Sequence, residues 1–243
     1  MIPLRDENPS STTPWITYAL IGINSFVFLV QLGLSGQGMK EAVMQFGFVP
    51  ARATAALQGE AGLMAGVGVP MVTSMFMHGS FVHLIGNMLY LYIFGDNVED
   101  GLGHYRFIAF YVACGLLAQV AQYLIAPSSA VPVIGASGAI AGVLGAYLLN
   151  WPRARIVTLL PIFFIITFVR LPALVVLGFW FVLQFFQGVI SVGAASGGGV
   201  AYWAHIGGFA AGMGLIKLLP WKRPPGRPAR GRRRPYDNPR YWR

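Results

Sequence analysis

The stretch 131-VPVIGASGAIAGVLGAYLLN-150 decides how this chain is read. One serine, Ser137, stands between Gly135-Ala136 and Gly138 at the head of an apolar, small-residue segment. Nothing charged occurs between Arg106 and Arg153. A polar hydroxyl at the mouth of a segment built for lipid needs a reason.

Composition sets the setting. The chain has 243 residues, 56% of them hydrophobic and 10% charged, whereas soluble domains carry about a quarter charged residues. Mean hydropathy is +0.61. This is the profile of an all-α membrane protein. The single cysteine, Cys114, cannot form an internal disulfide and reads as a small core or lipid-facing residue.

Six spans are expected, working outward from the quoted stretch: 15–34, 79–95, 105–126, 137–150, 172–190 and 200–219. Residues 1–14 read as a short polar cytoplasmic N-terminus without a cleavable signal, and 15–220 as one membrane domain. Residues 36–70 read as a long first interfacial loop, 96-DNVEDG-101 as a short acidic loop, and 156–171 as an apolar segment at the interface.

The tail 221–243 carries +8 of the net +9. It is rich in Arg, Pro and Gly and reads as disordered and cytoplasmic, attracted to anionic membrane lipid rather than to nucleic acid. With six spans both termini then lie inside, and a multi-pass protein of a bacterial plasma (inner) membrane is expected.

Polar groups inside spans are costly and face the bundle interior. The set here is Asn24, Ser25, His78, His83, Asn87, Gln119, Gln122, Ser137, Gln184, Gln187 and His205. The glutamines read as structural glue between helices. All eight acids are assigned to tails or loops, so no carboxylate is expected at depth. That removes a cation relay, a three-member Ser-His-Asp triad and a HExxH metal site; no metal and no cofactor are expected. A solute transporter is also disfavoured, since no inverted repeat is evident.

Ser137 and His205 remain as nucleophile and general base. Ser137 opens the fourth span and His205 lies near the start of the sixth, which runs the same way. Both therefore fall at the outer end, at similar depth. Small residues lie beneath each, and Gly138–Gly142 and Gly208–Gly212 are GxxxG pairs that let backbones approach. The free N–H groups at the start of the Ser137 helix can hold an oxyanion. His83 and Asn87, at i and i+4, share a face and can donate to the same oxygen. His78 reads as an interfacial histidine with at most an accessory place.

These residues resemble the rhomboid intramembrane serine proteases. Gly135-Ala136-Ser137-Gly138 looks like their GxSG motif, and Ala204-His205-Ile206-Gly207-Gly208 with Gly212 looks like AHxGGxxxG. The run from His78 through His83 to Asn87 looks like HxxxxHxxxN. The resemblance implies a six-helix rhomboid-like bundle and a Ser137–His205 dyad in a water-filled cavity. It implies an oxyanion hole of Asn87, His83 and the Ser137 backbone N–H, and helix packing through Gly135, Gly138, Gly208 and Gly212. Transmembrane protein substrates would be cut near the outer face, with the region of the fifth span as a gate. Two departures stand out. Ala141 occupies the place where some members stack an aromatic ring beneath the histidine, and the first loop lacks the Trp-Arg pair of some bacterial members. Non-catalytic relatives that bind transmembrane helices form the second reading, but they generally lose the serine or histidine that this chain retains.

Overall fold

The structure, a computed structural model, describes residues 1–60, 62, 64–162, 165–193 and 200–221. The basic tail after Trp221 and most of the 191–199 loop lie outside the described residues.

The expected spans appear as helices α1 (Trp15–Leu32), α5 (Phe81–Leu102), α6 (His104–Ile125), α7 (Ser137–Asn150), α8 (Ala173–Gly193) and α9 (Tyr202–Leu218). They pack as one bundle. In α7, every residue from Ala139 to Tyr147 is buried, because a helix apolar on all sides must be surrounded. It is flanked by α5, α6 and α9.

The expectation of six spans is met only in part. Among the described residues, three helices are long and apolar enough to cross a membrane: Trp15–Leu32, His104–Ile125 and Ala173–Ser191. A fourth counts if Ala65–Phe76 and Phe81–Leu102, bent by 82° at their break, form one span. Helix α7, at 14 residues, is about 21 Å long by helical rise, short of a ~30 Å hydrocarbon core.

Four local expectations are corrected. Residues 36–70 are mostly helical, with α2 (Gly36–Phe46), α3 (Pro50–Leu57), a π-turn at Met64–Gly68 and the start of α4 (Val69–Thr73). Ser35 caps α2 through its side chain, and Pro50 begins α3, where its missing N–H costs nothing. This region props the loop before Ser137. Phe48 and Val133 exchange backbone hydrogen bonds at 3.1 and 2.7 Å, and Gly135 N–H donates to Ser74 O at 2.8 Å.

The fold is also not purely helical. β1 (Ile2–Asp6), β2 (Arg155–Ile162) and β3 (Ile165–Pro172) form an antiparallel sheet in the order β1-β2-β3. The polar N-terminus and the 156–171 segment thus pair with each other. Ile2 stands opposite Leu159 and Asp6 opposite Ile156. The segment 155-RIVTLLPI-162 is rich in branched apolar residues, which favour strands.

The stretch 96–101 is not a loop. It forms the last turns of α5, and Gly103, with φ +78°, makes the turn into α6. Its acids hold the start of α1, whose N-cap is Pro14 with no side-chain cap. Glu99, fully buried, accepts from Ile16 N–H at 2.9 Å, Thr17 N–H at 2.8 Å and Thr17 Oγ1 at 2.7 Å. His104 Nδ1 lies 2.5 Å from Oε1, the oxygen that also accepts Ile16 N–H. Asp100 accepts from the backbone and hydroxyls of Ser11 and Thr12. A carboxylate at a helix N-terminus satisfies orphan N–H groups and opposes the helix dipole. Here it does so from another helix.

Candidate active site

Helices α7 and α9 run side by side in the same direction. A Cβ built on Gly208 would meet the carbonyl of Gly138, and one on Gly212 would meet the backbone of Gly142. Only glycine permits that approach, and it brings the two helix starts together. Ser137 is the first residue of α7, after the cap residue Ala136, and His205 lies in the first turn of α9. Ser137 Oγ stands 2.7 Å from His205 Nε2.

Gly135 does not pack helices, contrary to the expectation for it. It precedes α7 with φ +123°, and a Cβ there would lie 2.7 Å from His83 Nε2 and 3.6 Å from Asn87 Nδ2. Both the backbone angle and the crowding require glycine. The absent side chain lets His83 and Asn87 approach the backbone just before Ser137.

The Asn87 amide nitrogen is buried and makes no hydrogen bond within the protein. His83 is oriented from behind: Ser80 Oγ accepts its backbone N–H at 3.2 Å, and Gly79 N–H donates to Nδ1 at 3.5 Å. Nε2 is the nitrogen beside Gly135, and it carries the ring proton in the tautomer whose Nδ1 accepts. His78 stands further back. Its backbone is clamped by the Gln31 side chain at 3.0 and 3.3 Å, and its ring meets His83 edge-on with centroids 5.0 Å apart. Among the described residues it does not line the cavity, and its ring pairs with that of His83.

The support for the His205 ring comes from α8. Trp180 lies against it with centroids 5.9 Å apart and planes tilted by 34°. A large ring on a neighbouring helix thus lies against the imidazole, although position 141 is alanine. Tyr202 and Trp203 do not serve this purpose; Trp203 Nε1 donates to Gly188 O at 3.2 Å. Gln184, one turn after Trp180, places Oε1 2.7 Å from His205 Nδ1. The expectation for the span glutamines is structural glue. Gln119, which donates to Met71 O at 2.7 Å, and Gln122, which accepts Ala204 N–H at 3.3 Å, fit that description. Gln184 does not. The signal for it was the i, i+4 pairing of Trp180 and Gln184 on one face.

These groups open on a cavity of about 970 Å³ lined by Ser137, His205, His83, Asn87, Trp180 and Gln122 among others. Among the described residues, no Asp, Glu, Lys or Arg lines it. No His/Cys/Asp/Glu cluster able to hold a metal ion occurs among the described residues either. The arrangement offers a hydroxyl, an imidazole against it, and the nitrogens of His83 and Asn87 on one side.

The Rhomboid domain family matches residues 65–222, which include every site residue above. This chain belongs to the rhomboid family. Its relatives include the mouse presenilin-associated rhomboid-like protein, mitochondrial, 35% identical over 97 residues, covering 39% of this chain and 26% of that protein. RHOMBOID-like protein 6, mitochondrial, of Arabidopsis thaliana is 26% identical over 191 residues, 67% of this chain and 62% of that one. YdcA of Bacillus subtilis, which carries rhomboid protease as a provisional name, is 36% identical over 78 residues, 32% of this chain and 39% of that one. The matches thus span from about a quarter to under two thirds of these relatives' own lengths. The family and the long apolar helices together make this chain a membrane protein. The mitochondrial names among the relatives lend no support to the expected bacterial plasma membrane.

Proposed function

We propose that this rhomboid is an intramembrane serine endopeptidase that cuts transmembrane-helix substrates with a Ser137–His205 dyad. The single observation that carries the reading is the 2.7 Å approach of Ser137 Oγ to His205 Nε2 in a cavity free of charged side chains among the described residues.

The chemistry follows from the atoms. His205 Nε2 takes the Ser137 Oγ proton as the oxygen attacks a backbone carbonyl carbon. The carbonyl oxygen becomes an oxyanion, which Asn87 Nδ2, His83 Nε2–H and the Ser137 N–H can receive. His205 then gives its proton to the leaving nitrogen, the C–N bond breaks, and an acyl ester on Ser137 remains. Water enters, its oxygen attacks the ester carbon as its proton passes to His205, and His205 returns that proton to Ser137 Oγ as the C–O bond breaks and the acid leaves. The low polarity of the surroundings strengthens each of these interactions. We further propose that all six long helices cross the bilayer, with α5 continuing the bent helix before it and α7 enclosed by its neighbours. The site then lies toward the face opposite the basic tail.

The test is cleavage of a labelled single-span substrate in liposomes. Ser137→Ala should abolish cleavage and labelling by a fluorophosphonate while insertion and thermal unfolding stay unchanged. Normal cleavage by that variant would sink the nucleophile assignment. Intact Ser137 and His205 leave the non-catalytic reading without a supporting observation.

A further inference from the structure

We infer that Gln184 is a positioning residue for His205: its amide oxygen holds the ring proton on Nδ1 and so keeps Nε2 free as the base. This rests on the protease reading above and extends the dyad with a neutral third member.

A neutral imidazole carries one proton on either nitrogen, and only the tautomer with a bare Nε2 can take the Ser137 proton. A partner at Nδ1 selects the tautomer. In soluble triads a carboxylate does this, and replacing it so that the wrong tautomer forms costs about 10⁴ in kcat. Here the group 2.7 Å from Nδ1 is the Gln184 carbonyl oxygen. An amide oxygen only accepts, so Nδ1 must donate, and Nε2 faces Ser137 Oγ unprotonated. The reversed amide would put N–H on Nδ1 and force the proton onto Nε2, which disables the base. A carboxylate would avoid that ambiguity, but burying a charge here is costly without a counterion.

The groups that face His205 come from every helix around it. They are Ser137 of α7 and Trp180 and Gln184 of α8, with Gln122 of α6 on the neighbouring Ala204 N–H and His83 of α5 lining the same cavity. None of these is a carboxylate. Trp180 and Gln184 sit four residues apart on one face of α8, so that helix fixes both the plane of the ring and its tautomer. Only 22% of the apolar α8 segment is buried within the protein, against 33% for α6. The alignment of the base thus depends on a helix mostly given over to its surroundings.

The experiment measures the rate at which a fluorophosphonate labels Ser137 across pH 5–9 in liposomes, alongside kcat and KM for a single-span substrate. Gln184→Met removes the acceptor at similar volume. It should slow labelling and kcat roughly 10- to 100-fold, a fraction of the effect in charged triads, with KM little changed. Gln184→Glu keeps an acceptor and adds charge. It should restore most of the rate and move the acid limb of the profile to higher pH, because a carboxylate favours the imidazolium. Equal rates and profiles for wild type and Gln184→Met would overturn the inference. So would slow labelling by both variants with no displacement of the acid limb, since that marks a packing role alone. If the wild type itself is neither labelled nor active, the protease reading fails instead.

Discussion

Gly212 of α9 rests directly on the backbone of Gly142 of α7, with no room for a methyl group between them. This crossing sets the depth and spacing of Ser137 and His205 at the helix starts. In a setting without a hydrophobic force between helices, close backbone packing is the main attraction.

Gly212→Ala should therefore force the two helices apart. Overpacking costs about 1–3 kcal/mol, read as a lower thermal unfolding midpoint in detergent, and cleavage should fall further than stability does. Gly214 has open space around its missing Cβ, so Gly214→Ala should change neither. Equal behaviour of the two variants would remove the glycine crossing as the cause.

The unpartnered Asn87 amide should matter only once negative charge develops on the substrate. Asn87→Ala is expected to lower kcat about 10²- to 10³-fold, the cost of losing one oxyanion donor, and to leave KM close to the wild-type value. An unchanged kcat would expel Asn87 from the oxyanion hole.

Glu99→Ala would strip the acceptor from Ile16 N–H, Thr17 N–H and Thr17 Oγ1. The expected loss is on the order of 3 kcal/mol, the scale for breaking a buried charged network. Amide exchange at Ile16 and Thr17 should quicken in parallel. Slow exchange in the variant would mean that α1 is capped by something else.

Burial pushes the Asp6 carboxyl up to about 7 from its ordinary 3.8, despite the Tyr147 hydroxyl donating to it at 2.7 Å. Between those values the folded chain holds a proton that the unfolded chain has released. Stability should thus fall as pH rises from about 4 to 7, then level off. Asp6→Asn keeps an acceptor for Tyr147 and should remove that component. The check is the unfolding midpoint from pH 4 to 8, wild type against variant; identical slopes would refute it.

Much was legible because much was local. Each long helix announces itself as an apolar run, and Ser137, His205, His83 and Asn87 sit in short motifs whose spacing places them on defined faces. The acids of 96–101 read as a loop because Gly95-Asp96 looks like the end of a span. Their partners, Ser11 to Thr17, lie more than 80 residues earlier, so nothing nearby reveals that they are caps. The strand at Ile2–Asp6 is similar: its ladder partner begins at Arg155, and a five-residue segment carries too little pattern to declare itself.

From its sequence alone, then, this protein had a membrane setting, a helical bundle, and a serine and a histidine on two glycine-striped helices of the same direction. These follow from composition and period, which any window of the chain displays. Only the tertiary structure decided what stands behind the histidine, what closes the start of α1, and that a sheet joins the N-terminus to the 155–172 hairpin. Those features depend on contacts between distant segments, where one side chain's role is set by geometry that no local pattern encodes. Gln184 is the sharpest case: Gln119, Gln122, Gln184 and Gln187 look alike in the sequence, and Gln184 meets the imidazole.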